Sequence, residues 1–304
     1  MSTTTTSSAP LLDIEATKKI AALRAVEEHF LPTDQYVGIG SGTTITYVVE
    51  AIKARAASTN RETEIKFVPT GYQSRHVIVQ AGLTPIAFDS LPDGQLLDVA
   101  FDGADEVDDD LNCIKGGGAC LFQEKLVATK AKKFICVADY RKLQPRLLTS
   151  WPTIPIEVAP IAVPRVLIAL RALGSPSPTL RENLLTKAGP VKTDQDFFII
   201  DAPFAPLLTA ADVASSDDPD AGTGTGKGAS EDDRDGPAAV NWEVQTLAKT
   251  IKMITGVLDV GIFSGINGVQ AGAQHFLAGG EKPVAAYFGM QDGSVEVRRA
   301  KELL

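Results

Sequence analysis

Cysteine, histidine and aromatic residues are scarce in this chain. Its 304 residues include three cysteines, three histidines and only 6% Phe, Trp and Tyr. Cys113, Cys120 and Cys136 have neither CxxC nor zinc-ligand spacing. Few and odd in number, they argue against a disulfide framework and for a reducing, cytoplasmic setting. His29, His76 and His275 flank no nucleophile, so no Ser–His–Asp arrangement emerges. There is no basic excess. A net charge of −9 excludes the electrostatic footprint of a nucleic-acid binder. No apolar run is long enough to span a membrane. The first ten residues, MSTTTTSSAP, have neither the basic start nor the apolar core of a secretory signal, and no base precedes Lys18 as a transit peptide would require. Residues 1–13 are expected to form a disordered tail.

What is present describes a globular α/β chain, 44% hydrophobic and 22% charged. Strand and helix signals alternate through its first half. Helices are expected over Ile14–Phe30, with Ile20, Leu23 and Val26 inward, after Thr44 (Ile45, Val48, Val49 and Ile52 inward), over Gln73–Ala81 and over Leu121–Lys132. Strands are expected at Tyr36–Ile39, Ile65–Val68, Pro85–Phe88, Leu96–Phe101 and Phe134–Val137. This alternation implies βαβ units in a Rossmann-like, mostly parallel sheet, with ligands at the carboxyl ends of its strands. From Trp151 the texture changes. Strands at Ile156–Val158, Thr179–Leu185, Phe197–Asp201 and Val257–Phe263, with helices over Pro164–Leu173 and Trp242–Ile254, spell a split βαβ unit. Two domains are therefore expected: a catalytic α/β domain from 14–151 and 284–304, closed by strands at Ala285–Met290 and Val295–Arg298, and a smaller α+β domain over 152–263. Two insertions interrupt them. Residues 202–240, rich in Ala, Gly, Ser and Asp, are expected to be largely disordered, and their acidic part carries −6 of the net charge. The Gly/Ala-rich stretch 264–283 reads as a surface loop.

Chemistry concentrates in Asp102–Lys125, DGADEVDDDLNCIKGGGACLFQEK, a strand–loop–helix passage holding acids, a lysine and three glycines. Asp102 and Asp105 sit at a strand end, where two nearby carboxylates can drive each other's proton affinities apart; alternatively Asp105 caps a turn. Asp108–Asp110 fit no EF-hand, since neither Asp105 nor Asp108 has glycine five residues on, and they read as a solvated turn. Lys115 beside Gly116, Gly117 and Gly118 offers a cation and exposed amides to a developing oxyanion. Glu124 lies on the following helix, where an isolated Glu is usually solvated. Upstream, Gly40-Ser41-Gly42-Thr43-Thr44 lacks both the third glycine of a dinucleotide fingerprint and the lysine of a P-loop. It suits a phosphomonoester at a helix N-terminus, or else a hydroxyl-capped turn. Lys142, in a loop after another strand, could reach the same phosphate or be plain surface.

Taken together, VGIGSGTT (37–44), TGYQSR (70–75), FDGADEVD (101–108), IKGGGACLFQEKLVA (114–128), FICVADYRK (134–142), KAGPVKTDQ (187–195), IKMITGVLDVGIF (251–263) and YFGMQDGSV (287–295) resemble ribose-5-phosphate isomerases of the A type. The match runs across the chain outside the tail and the insertions. The resemblance implies reversible interconversion of D-ribose 5-phosphate and D-ribulose 5-phosphate through an enediolate, without metal or organic cofactor. It implies Glu124 as the base between carbons 1 and 2, Lys115 with the Gly116–Gly118 amides on the enediolate oxygen, and Asp102 as the ring-opening group with Asp105 beside it. Ser41, Gly42, Thr43, Thr44, Gly103, Ala104 and Lys142 would contact substrate and phosphate. It also implies a homodimer or homotetramer with no nucleic-acid or membrane partner. The rival reading is a non-catalytic sugar-phosphate effector domain, which would lack the base and the cation.

Overall fold

The computed structural model describes residues 11–31, 33–58, 64–183, 188–224, 240–275 and 279–301. In chain order the elements are α1 (Ile14–His29), β1 (Tyr36–Ile39), α2 (Thr43–Ala57), β2 (Lys66–Pro69), α3 (Tyr72–Gln80), β3 (Thr84–Pro85), β4 (Val99–Asp102), β5 (Glu106–Val107), β6 (Cys113–Ile114), α4 (Leu121–Thr129), β7 (Phe134–Asp139), β8 (Ile154–Val158), α5 (Val163–Ala172), β9 (Thr179–Leu180), β10 (Phe198–Ala202), α6 (Ala210–Ala214), α7 (Val244–Lys252), β11 (Val257–Val260), β12 (Ile262–Phe263), α8 (Gly268–Ala273), β13 (Ala285–Gly289) and β14 (Val295–Arg299). Among the described residues no helix is long and apolar enough to cross a membrane.

The main sheet has seven strands in the order β14-β13-β7-β4-β1-β2-β3. All its pairings are parallel except β13 with β14. Alternation along the strands divides its side chains between two cores. Val99, Phe101, Ile135, Val137, Ala285 and Tyr287 pack under α1, α2 and α3. Ala100, Cys136, Ala138, Ala286 and Phe288 face the other way, toward Val127 and Ala128 of α4. The four-stranded sheet runs β11-β8-β10-β9, antiparallel where its strands pair, with α5 and α7 on one face. The first-to-last order 4-1-3-2 is the split βαβ arrangement read from the sequence.

Several expectations change. The strand expected over Val257–Phe263 breaks at Gly261 into β11, in the four-stranded sheet, and β12, in a three-stranded patch with β5 and β6. Gly261 donates to Pro155 O at 2.7 Å and accepts from Lys115 N at 2.8 Å; a Cβ there would lie 2.2 Å from Lys115 O. Only glycine passes between the sheets at this point. Helix α1 buries Thr17, Lys18, Ala21, Ala22, Ala25 and Val26; of the expected Ile20, Leu23 and Val26 only Val26 is buried, Ile20 being half-buried and Leu23 exposed. The reason is close approach: a Cβ on Gly289 would stand 1.8 Å from Thr17 O, so the helix meets β13 through its small residues.

The expectation of disorder over 202–240 fails for its first part. Thr209 and Asp212 form a reciprocal capping box at α6, Arg146 pairs with Asp212, and Leu207 is buried. Residues 225–239 lie outside the described residues, as do tail residues 1–10 and Lys187. The stretch 264–283, expected as a plain loop, holds α8, capped by Asn267. The helix enters through a close approach that only glycine allows, since a Cβ on Gly268 would meet Ala131 O at 2.4 Å. The strand expected to run to Leu185 ends at Leu180, with 184–187 outside the described residues.

Candidate active site

The carboxyl ends of β1, β4 and β7 open onto one cavity of about 350 Å³. It sits where the strand order reverses, between β1 and β4, as open parallel sheets require. Three loops frame it: Gly40–Thr44 after β1, Asp102–Gly118 after β4 and Asp139–Lys142 after β7. Gly40 is there for space. A Cβ on it would fall 1.8 Å from Asp102 Oδ1, so its absence lets the first two loops touch.

A buried lysine organises the acids. Lys115 Nζ lies 2.9 Å from Asp102 Oδ2, 3.3 Å from Glu124 Oε1 and 2.6 Å from the Gly103 carbonyl. Lys115 and Glu124 line the cavity; Asp102, 3% exposed, stands behind Lys115 and is not part of its wall. Asp102 Oδ1 accepts from Ser41 N at 3.1 Å and Gly103 N at 2.8 Å. Burial pushes the Asp102 carboxyl up to about 7; Lys115 works against that rise and the nearby Glu124 adds to it. Burial disfavours the Lys115 charge too, yet the two carboxylates hold its proton affinity above the ordinary range. Lys115 is therefore an ammonium serving two acids. Asp105 faces the cavity and accepts from Gly117 N at 2.7 Å; burial raises its proton affinity.

Glu124 projects from the first turn of α4. Its Oε1 accepts from Ser41 Oγ at 2.9 Å, besides facing Lys115. Its Oε2 is buried and has no hydrogen-bond partner among the described residues. Glu124 thus lines the cavity with one carboxylate oxygen held and the other a buried acceptor without a partner, an arrangement that can accept a proton.

At the other end, α2 begins at Thr43 with Gly42 as its cap (φ 97°) and no capping side chain. The N–H groups of Thr43 and Thr44 open the helix without intrahelical acceptors. Lys18 comes from α1, is 8% exposed, lines the cavity and donates to Thr43 Oγ1 at 2.8 Å. Lys142 and Arg141 line the same wall, Arg141 paired with Asp139. Basic side chains, Lys18 paired with Glu15 and Arg141 with Asp139, thus gather beside the helix N-terminus, an arrangement that can hold an anion.

Of the residues singled out from the sequence, Ser41–Thr44, Gly103, Ala104, Asp105, Lys115–Gly118, Glu124 and Lys142 all reach the cavity. Two behave differently from expectation. Ser41 spends both its donors on Glu124 and Asp102 and leaves the anion end to its neighbours. Asp108 belongs to no solvated turn. Fully buried, it accepts from Asp110 N, Asn112 N and Asn112 Nδ2 and ties off the β5–β6 hairpin, and burial pushes its carboxyl up to about 6. Lys18, Gln73 and Arg141 were missed. Gln73 takes Gly42 N at 2.8 Å. Lys18 gave no signal, because a lysine on an amphipathic helix reads as solvated.

Comparison with known proteins agrees with the sequence resemblance. The family Ribose 5-phosphate isomerase A (phosphoriboisomerase A) matches residues 66–217. The chain is similar to the ribose-5-phosphate isomerase of Mycosarcoma maydis, 41% identical over 293 residues that cover 96% of this chain and 84% of that one. The Candida albicans ribose-5-phosphate isomerase is 37% identical over 286 residues, covering 93% and 96%. A solved D-ribose-5-phosphate isomerase in complex with phospho-erythronic acid has 28% identity and a TM-score of 0.70, covering 95% of this chain and all of that one.

Proposed function

The chain belongs to the ribose 5-phosphate isomerase A family, enzymes that interconvert D-ribose 5-phosphate and D-ribulose 5-phosphate, and we propose that in it Glu124 is the base that carries the proton. With the phosphate at the Gly42–Thr44 end, held by the α2 amides, Lys18 and Lys142, the open-chain sugar extends toward Glu124. Oε2 takes the proton from carbon 2, leaving the charge on the carbon 1 oxygen of an enediolate; that oxygen gains a proton as the carbon 2 hydroxyl gives one up, and the Glu124 carboxyl then returns its proton to carbon 1 to give the ketose. Lys115 and the amides of the glycine loop balance the charge on the enediolate oxygen. The Asp102–Lys115 pair serves ring opening: Asp102, with an affinity near 7, can hold or release a proton at neutral pH, and Lys115 is its cavity-facing member. Asp105, Gly103 and Ala104 contact the sugar hydroxyls. A solved relative binds phospho-erythronic acid, a phosphorylated sugar acid of the class this cavity suits.

The observation that carries this reading is the idle Oε2 of Glu124 beside a buried ammonium. A binding-only domain has no use for that pair. The test is isomerisation in heavy water. Glu124→Gln is expected to lose about 10²–10⁴-fold in turnover and in deuterium uptake; near-normal turnover rules Glu124 out as the base. We further place the enzyme in the cytoplasm as a homodimer or homotetramer. Its three cysteines are free thiols, and the small domain exposes Ile161, Ile168 and Met253 on its helical side.

A further inference from the structure

Three consecutive glycines cannot hold their own direction. Glycine is the least restrained residue, and Gly116 lies at φ 104°. Yet the proposed oxyanion donors are amides of this loop, and a donor contributes most when it is aimed before the charge develops. Something outside the loop must aim them.

That group is Arg181, at the end of β9 in the four-stranded sheet. Its Nη1 donates to Gly116 O at 2.9 Å and Gly117 O at 3.1 Å. Its Nε donates to Asp201 Oδ2 at 2.7 Å, and Nη2 bonds Asp201 Oδ1, so the fork is fixed from behind by the neighbouring strand β10. The pair is largely sheltered, at 16% and 21% exposure. Peptide units are planar and trans, so each N–H points away from the preceding carbonyl. With both carbonyls drawn to Arg181, the N–H groups of Gly117 and Gly118 turn to the opposite side. Gly117 N confirms the direction, since it reaches Asp105 Oδ2 on the cavity wall. Gly118 also lines the cavity, and a Cβ built on it would meet no atom within 4 Å.

We propose that Arg181, braced by Asp201, is a positioning residue for the isomerisation: by holding both carbonyls it keeps the Gly117 amide on Asp105 and aims the Gly118 amide at the enediolate oxygen from the second domain. The proposal rests on the isomerase reading above. Arg181 touches no substrate, so it acts on turnover through the loop.

The test compares Arg181→Lys, Arg181→Ala and Asp201→Asn with the wild type and with Glu124→Gln, by steady-state kinetics in both directions and by inhibition with phospho-erythronic acid and with inorganic phosphate. Arg181→Ala and Arg181→Lys are expected to lose about 10–100-fold in kcat, somewhat less than deletion of an oxyanion donor. KM and phosphate inhibition should stay within about threefold, while the sugar acid, whose carboxylate would take the place of the enediolate oxygen at the Gly118 amide, should bind at least about tenfold more weakly, since an aimed donor to a charged oxygen is a strong hydrogen bond. Guanidinium in the buffer should restore part of the Arg181→Ala activity. Asp201→Asn keeps the guanidinium but loosens it, and should lose several-fold in kcat. A folded Arg181 variant with kcat within about twofold of wild type overturns the proposal, as does a loss that falls equally on phosphate inhibition. Should Arg181→Ala not fold, Asp201→Asn decides by the same split. If Glu124→Gln keeps its turnover while the Arg181 variants lose theirs, the base assignment fails and the positioning role stands.

Discussion

At the scale of single residues, two acids compete for one buried ammonium. Asp102, Glu124 and Lys115 lie within 3.3 Å of one another through Lys115 Nζ. The outcome has a pH signature. Asp102 titrates at about 7 in the folded chain, against roughly 4 when unfolded. The folded state binds that proton more tightly. Its stabilising contribution is full below about pH 4 and is lost as pH rises through about 7. Asp102→Asn cannot ionise, so its melting temperature relative to wild type should shift in favour of the variant between about pH 4 and 7. A difference that stays constant with pH would mean Asp102 is ionised throughout. Turnover of ring-closed ribose 5-phosphate by this variant should fall about 10²-fold. The identities of these residues were legible in the sequence, because DGADE and KGGG sit at a strand end beside a helix. Their relation was not. That Asp102 stands behind Lys115, and that Ser41 Oγ serves Glu124, follows from the missing Cβ at Gly40, which lets two loops meet.

At the scale of elements, α4 carries Glu124, and residues beyond Ile154 hold that helix residue by residue. Phe122 N donates to Glu157 Oε2 at 3.3 Å, and Gln195 Nε2 donates to Gln123 Oε1 at 2.9 Å. Lys125 Nζ reaches Val260 O at 2.7 Å, Ile262 O at 2.9 Å and Asp259 Oδ1 at 3.0 Å. Glu124 is the member of this run that turns to the cavity. Lys125→Met takes the cation from Glu281 and one of two from Asp259, which keeps Lys252 at 3.0 Å, and should cost about 1.5–3 kcal/mol of stability, the range for hydrogen bonds to charged groups, measured by denaturant unfolding. A cost below about 0.5 kcal/mol, the ordinary range for surface changes, would mean that Lys125 does not anchor the helix. Periodicity located α2, α4 and α7 well, because large side chains fill their buried faces. It misread α1, where alanines face the core and let the backbone close on β13.

At the scale of the molecule, none of the described residues of 202–240 and 264–283 lines the cavity. Residues on either side of 225–239 are neighbours, for Gly224 N donates to Asn241 O at 3.3 Å and Thr223 bridges to Trp242. A short Gly/Ser link in place of 225–239 should therefore leave kcat and melting temperature close to wild type, since loop length alone carries little entropy. A drop of more than about 5 °C, roughly 1 kcal/mol or more for a chain this size, would show that the segment contributes to the fold.

By itself the sequence determined the alternation of strands and helices, the split βαβ unit, the phosphate-sized glycine–hydroxyl loop and the acid–lysine–glutamate passage. Each of these is written in residues near one another along the chain, through apolar period and turn chemistry. Tertiary structure alone decided which distant side chains complete the site. Lys18 enters because α1 is rotated onto its small face. Gly261 lets the chain cross from one sheet to the other beside Lys115. Arg181 reaches the glycine loop from 65 residues away. A charged side chain on a helix or a strand end looks the same in sequence whether it meets water or a carbonyl. Only packing distinguishes the two.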